Sequence, residues 1–77
     1  MALNLTVFSR IVVRDSNDLS HAVVLEPGDY VLVETANPSG ASVPWLIVIG
    51  TTHGAASSWW QEQVRNDLVS IDDASAA

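Results

Sequence analysis

Apolar and polar residues alternate along the first part of the chain with the two-residue period of a half-buried strand. Leu3, Leu5, Val7, Ile11 and Val13 fall on one side; Asn4, Thr6, Arg10 and Arg14, joined by Phe8 and Val12, fall on the other. The pattern predicts one long strand over residues 3–13, bent near Ser9. Asp15-Ser16-Asn17-Asp18 follows, a cluster whose side chains bond to nearby backbone and favour a turn. A second strand is predicted over residues 19–25, with Leu19, His21, Val23 and Leu25 on one face and His21 partly buried there. Glu26-Pro27-Gly28-Asp29 then reads as a tight turn of type II, because Pro27 presets φ and Gly28 permits a positive φ at the next position. Tyr30 to Thr35 is a third strand.

The alternation stops at Val43-Pro44-Trp45-Leu46-Ile47-Val48-Ile49, seven residues without a polar side chain. The run is too short to span a bilayer and rich in β-branched and aromatic residues, so it predicts a strand covered on both faces, extending over residues 43–51. A small antiparallel sheet ordinarily keeps one face wet. Something must therefore cover the second face: a helix, closure of the sheet, or another chain. The loop composition of residues 36–42 makes the third and fourth strands a hairpin with a long tip. His53 to Ser58 reads as a connection. Ser58 and Gln61 have capping-box spacing, and Trp60 and Val64 share a helical face, which predicts a short helix near residues 58–66, with Ser57 or Ser58 as its cap. The alternative is a strand over residues 58–64. Leu68 to Ile71 is a last short strand.

These elements describe a mainly β domain of about five strands, a small antiparallel barrel or curled sheet, SH3-like or sandwich-like, with one helix. Residues 1–73 form the single domain and 74–77 a flexible tail. With 77 residues and no cysteine, the chain has neither a large core nor disulfides to stabilise it, so oligomerisation is an attractive supplement.

Charge narrows the partners. The formal net charge is −6, from nine acids against three arginines, with no lysine. Phosphate backbones and anionic membranes need clustered bases, so neither nucleic acid nor membrane is expected as a partner. Met1-Ala2-Leu3-Asn4-Leu5 has no charged segment leading into a long apolar one, so cytoplasmic synthesis without an export signal is expected, a description that also fits a virion component.

Motifs for chemistry are sparse. His21 and His53 lack metal-ligand spacing, there is no G-x-S-x-G elbow, and Gly28, Gly40, Gly50 and Gly54 fit turns or strand ends and form no phosphate-cradling loop. Glu26, Asp29 and Glu34 flank a turn and a strand and read as solvated. No catalytic residue, cofactor or metal is expected, and the chain is not read as an enzyme. Tryptophan carries the stronger signal. Trp59 and Trp60 are adjacent and point in different directions on a helix or a strand, so one packs inward and the other stays at least half exposed. Exposed tryptophan is enriched at binding hot spots. Trp45, Trp59 and Trp60, with Ile47 and Ile49, are the expected protein interface.

The segment Leu25-Glu26-Pro27-Gly28-Asp29-Tyr30-Val31-Leu32-Val33-Glu34-Thr35 resembles the L-x-P-G-x-Y-x-L-x-E-T stretch of bacterial surface-adhesin repeats of the collagen-adhesin B type. In those β-sandwiches the glutamate matching Glu34 assists a Lys–Asn isopeptide bond, which a lysine-free chain cannot form. The resemblance covers about a seventh of the chain and implies a turn followed by a strand. A P-G-D turn, a hairpin and a late tryptophan pair are also similar to SH3-like barrels, although the pair here follows the hairpin.

Two functions are expected from different classes. The first is a non-enzymatic structural or assembly module that contacts identical copies or a protein partner, as in a phage virion decoration or tail component. The alternative is an acidic inhibitor of a nucleic-acid-handling host enzyme, in which Asp15, Asp18, Asp67, Asp72 and Asp73 stand in for phosphates in its basic groove.

Overall fold

A computed structural model describes residues 2–73, and side chains for residues 2–72. The expected tail, residues 74–77, lies outside them. Seven strands and one helix follow in the order β1 (Ala2–Val7), β2 (Ile11–Asp15), β3 (Asp18–Leu25), β4 (Gly28–Thr35), β5 (Trp45–Val48), β6 (His53–Ala56), α1 (Ser57–Arg65) and β7 (Val69–Asp73). The strands form one antiparallel sheet in the order β3-β2-β6-β5-β4-β1-β7.

The first half is a single kinked hairpin. β1 pairs with β4 up to Val7↔Gly28, and β2 pairs with β3 from Ile11↔Leu25. Phe8, Ser9 and Arg10 thus face Glu26 and Pro27 across the corner, an extra residue that turns the ladder as a β-bulge does. The predicted bend near Ser9 is this corner. Arg10 Nε lies 3.1 Å from Glu26 Oε1, and the Tyr30 hydroxyl donates to the Glu26 carbonyl at 2.7 Å. Glu26-Pro27 links two strands that do not pair with each other, and Gly28 has φ +156°, far from the value near +80° of a type II turn.

The barrel expectation requires correction. The chain measures 31 × 25 × 23 Å, and the edge strands β3 and β7 of its sheet do not pair, so the sheet is open. Seven strands replace about five because the corner divides the first predicted strand in two and because His53–Ala56, read as a connection, is β6. Small residues hid this strand: His-Gly-Ala-Ala lacks β-branched side chains, and its place comes from pairing Ala55 with Leu46 and Ala56 with Trp45. Gly54 lies inside β6 and not at a turn. A Cβ there would collide with the Leu46 carbonyl oxygen and stand 2.8 Å from Ile47 Cγ2.

Alternation along each strand sends Leu5, Val7, Ile11, Val13, Leu25, Leu32, Leu46, Val48, Ala55 and Val69 into one core, which Trp60 of α1 closes. The helix starts one residue earlier than a Ser57 cap requires and two earlier than a Ser58 cap requires. Ala56 is the N-cap and contributes no side-chain bond; the Ser57 N–H is satisfied by the Pro44 carbonyl at 2.8 Å. At the other end Asp67 takes φ +59°, and the N–H groups of Asp67 and Leu68 return to the carbonyls of Val64 and Gln63, the paired bonds of a Schellman stop. No helix among the described residues is long and apolar enough to cross a membrane.

Candidate protein-contact surface

β5 takes the middle place among the seven strands. Its inward residues Leu46 and Val48 belong to the core; Trp45 and Ile47 have the opposite parity. Trp45 is nonetheless only 8% exposed. Its indole N–H donates to Ser16 Oγ at 2.9 Å, so the β2–β3 turn is tied to the centre of the sheet. That turn is itself held by carboxylates. Asp15 Oδ1 accepts from the Asn17 N–H at 2.9 Å and from the Thr52 hydroxyl at 2.9 Å, and Asp18 Oδ1 accepts from the Ser20 hydroxyl and N–H. The Asn17 bond, then that of Thr52, holds the Asp15 carboxyl below its ordinary value of 3.8; the hydroxyl, then the N–H, of Ser20 does the same for Asp18.

The five expected interface residues separate. Trp60 is 0% exposed and donates its indole N–H to the Leu46 carbonyl at 3.2 Å, so it belongs to the core and not to the surface. Trp59 is half-buried and meets Trp60 edge to face, with ring centroids 5.0 Å apart. Trp45 is enclosed by its own chain. Ile47 is half-buried, and Ile49, just beyond β5, is 56% exposed.

Residues not singled out from the sequence complete the surface. Val12 and Val24 are cross-strand partners at 46% and 50% exposure. Val12 also lines a cleft of about 410 Å³ with Arg14, Trp45, Ala56 and Trp59. Along β5, Ile47 pairs with Val33, and the Ile49 N–H bonds to the Val31 carbonyl. An outer band of Val24, Val12, Ile47 and Ile49 therefore stands on the face of the strands opposite the core, and Trp59 of α1, itself packed partly against the core, borders it at the Val12 cleft. Arg14 is the charged residue in its cleft, and no acid pairs with it among the described residues. Period-two parity alone placed Val12 on the polar side of its strand; that signal was present in the sequence, but its pairing with Val24 was not.

Elsewhere the polar groups hold structure together. His21 is exposed, contrary to the expectation of partial burial. The register passes from Arg14↔Ala22 to Asp15↔Asp18, which leaves Leu19, Ser20 and His21 without partners on β2. Glu26 is engaged with Arg10, and Asp29 accepts from the Thr6 hydroxyl at 3.1 Å. No group of three or more histidine or carboxylate side chains gathers among the described residues. Compared with known proteins, the chain matches no family model, no curated protein and no solved structure.

Proposed function

We propose that the chain is a non-enzymatic assembly module that associates with identical copies through the band formed by Val12, Val24, Trp59, Ile47 and Ile49. The observation that supports this reading is the outer side of the sheet: the β-branched Val12, Val24, Ile47 and Ile49 stand where an antiparallel sheet with one wet face carries polar residues, and the half-buried Trp59 of α1 borders them. Net charge opposes a second copy, since each carries −6, but the contact has one local charge match. The cleft contributes a free base, Arg14, and a copy of net charge −6 supplies acids to meet it. A phage virion, as decoration or tail component, is a setting in which such repeated contacts are used.

Sedimentation equilibrium tests the proposal. Association that weakens at least about ten-fold in Trp59→Ala and in Ile49→Ser, with the fold retained by circular dichroism, supports it. Salt gives a second readout. Copies of like net charge repel, so added salt should strengthen this association, whereas the binding of an acidic inhibitor to a basic groove weakens with salt. A chain that stays monomeric up to millimolar concentration ends the proposal.

A further inference from the structure

We infer that a second groove, at the mouth of the core and separate from the outer band, binds an extended peptide segment with a large apolar side chain beside a lysine or arginine. The groove has a volume of about 720 Å³ and lies open between α1 and the ends of the strands. Leu3, Leu46, Trp60 and Ile71 line it from the core side, and Val64 from the helix. Its size matches ligand sites, which are mostly apolar with a few polar groups that fix orientation. Being open along its length and several side chains in capacity, it suits a chain segment that enters and leaves.

Glu34 selects the charge. It pairs across the ladder with Leu46 and so has the parity of the core, yet it is exposed. Inward-facing positions along β4 are otherwise apolar; here the strand has run past the core, and the carboxylate stands at the rim of the groove. It has no hydrogen bond or ion pair among the described residues. Arg65, on the helix side, is drawn to Glu62 of its own helix at 3.2 Å, which leaves Glu34 as the lining charge without a partner among the described residues. An apolar floor beside one free carboxylate fits a cation attached to an apolar body. A carboxylate ligand would meet Glu34 with like charge, and Arg65, the one base lining the groove among the described residues, already has Glu62 beside it.

The probes are two capped pentapeptides, acetyl-Arg-Val-Leu-Val-Arg-amide and acetyl-Glu-Val-Leu-Val-Glu-amide, titrated into the ¹⁵N-labelled full chain and followed by NMR. The basic peptide should shift the amides of Leu3, Leu46, Val64 and Ile71 and the Trp60 indole N–H, and bind at least about five-fold more tightly than the acidic one at low salt. Glu34→Gln should remove most of that preference. Val64→Gln, at an exposed position outside the core cluster, should weaken the basic peptide about ten-fold with the rest of the spectrum unchanged. Ile49→Ser should leave this binding unaltered, which keeps it distinct from self-association. The inference is overturned if the basic peptide shifts none of these signals at about 1 mM, if the shifts fall on the outer band, if both peptides bind alike, or if Glu34→Gln keeps the preference.

Discussion

The two sides of β5 meet water differently, although both are apolar. On the inner side Leu46 and Val48 are covered by the kinked hairpin and by Trp60, whose indole N–H finds a carbonyl on β5 itself. On the outer side Trp45 is covered, through a tie to Ser16, while Ile47 is half-covered and Ile49 exposed. The inner side is closed by regular packing of strands and helix. The outer side is closed at one end by a turn and left open at the other. Apolar composition alone thus indicates that a strand will be buried, but not by what.

The sharpest way to break this contrast is to truncate one residue on each side. Trp60→Ala removes the helix's plug from the core and should cost about 3–5 kcal/mol, a large share of the roughly 5–15 kcal/mol that holds a small domain together. Ile49→Ser should change stability by no more than about 0.5 kcal/mol while it reduces self-association. Urea midpoints for the two variants give the comparison directly; similar losses would mean that the outer side is as closed as the inner.

Gly54→Ala comes next. Its added methyl runs into the Leu46 carbonyl and Ile47 Cγ2, on the neighbouring strand that divides the two sides, and relief requires separating β5 from β6. A loss of about 2–4 kcal/mol is expected in thermal or urea unfolding. A neutral outcome would show that the two strands yield easily, and that the small residues of β6 are not what lets them approach.

Ser16→Ala probes the outer tie more gently. It leaves the Trp45 N–H without its acceptor in a part-buried place, at a cost of about 1–2 kcal/mol, and should shift tryptophan emission toward that of a wetter indole. The same tie should feel acid. Asp15 and Asp18 have carboxyl groups held below the ordinary value of 3.8, so their charged forms are the ones the fold favours. Their contribution is complete above that value and is lost as pH falls through the lowered ones. Amide signals of Asn17 and Ser20 should therefore move only below about pH 4, and the turn should loosen there before the core does. Asp15→Asn should remove the response at Asn17 while the response at Ser20 persists.

Much of the fold was legible in the chain, unevenly. The alternation of Leu3, Leu5, Val7, Ile11 and Val13 predicted both their shared side and the bend at Ser9, because the period of two survives a three-residue corner when one residue is extra. The hairpin of β4 and β5 followed from a polar loop between two apolar runs. Trp59 and Trp60 were expected to part, one inward and the other at least half exposed; Trp60 does turn inward, but Trp59 is itself more covered than that, because it packs against the core beside its neighbour. Other features left no local mark. Nothing in His-Gly-Ala-Ala announces a strand. Ser57 and Ser58 had the composition of a cap, but the helix continues directly from β6 and the Pro44 carbonyl takes the first N–H. Of the candidate surface, Ile47 and Ile49 were found from the apolar run, whereas Val12 and Val24 were not, because their partnership spans the turn between β2 and β3.

The sequence by itself determined the inward side of the first strands, the bend near Ser9 and the presence of a short late helix, because those properties depend on side-chain chemistry and spacing within a few residues. It also determined the acidic balance and the absence of thiols. Only the tertiary structure decided that Trp45 folds over to Ser16 while Ile49 is left bare, that β6 completes the sheet, and that Glu34 ends at the rim of an apolar groove. Each of those depends on register between distant segments, and register is set by the summed packing of the whole sheet, which no local pattern of residues encodes.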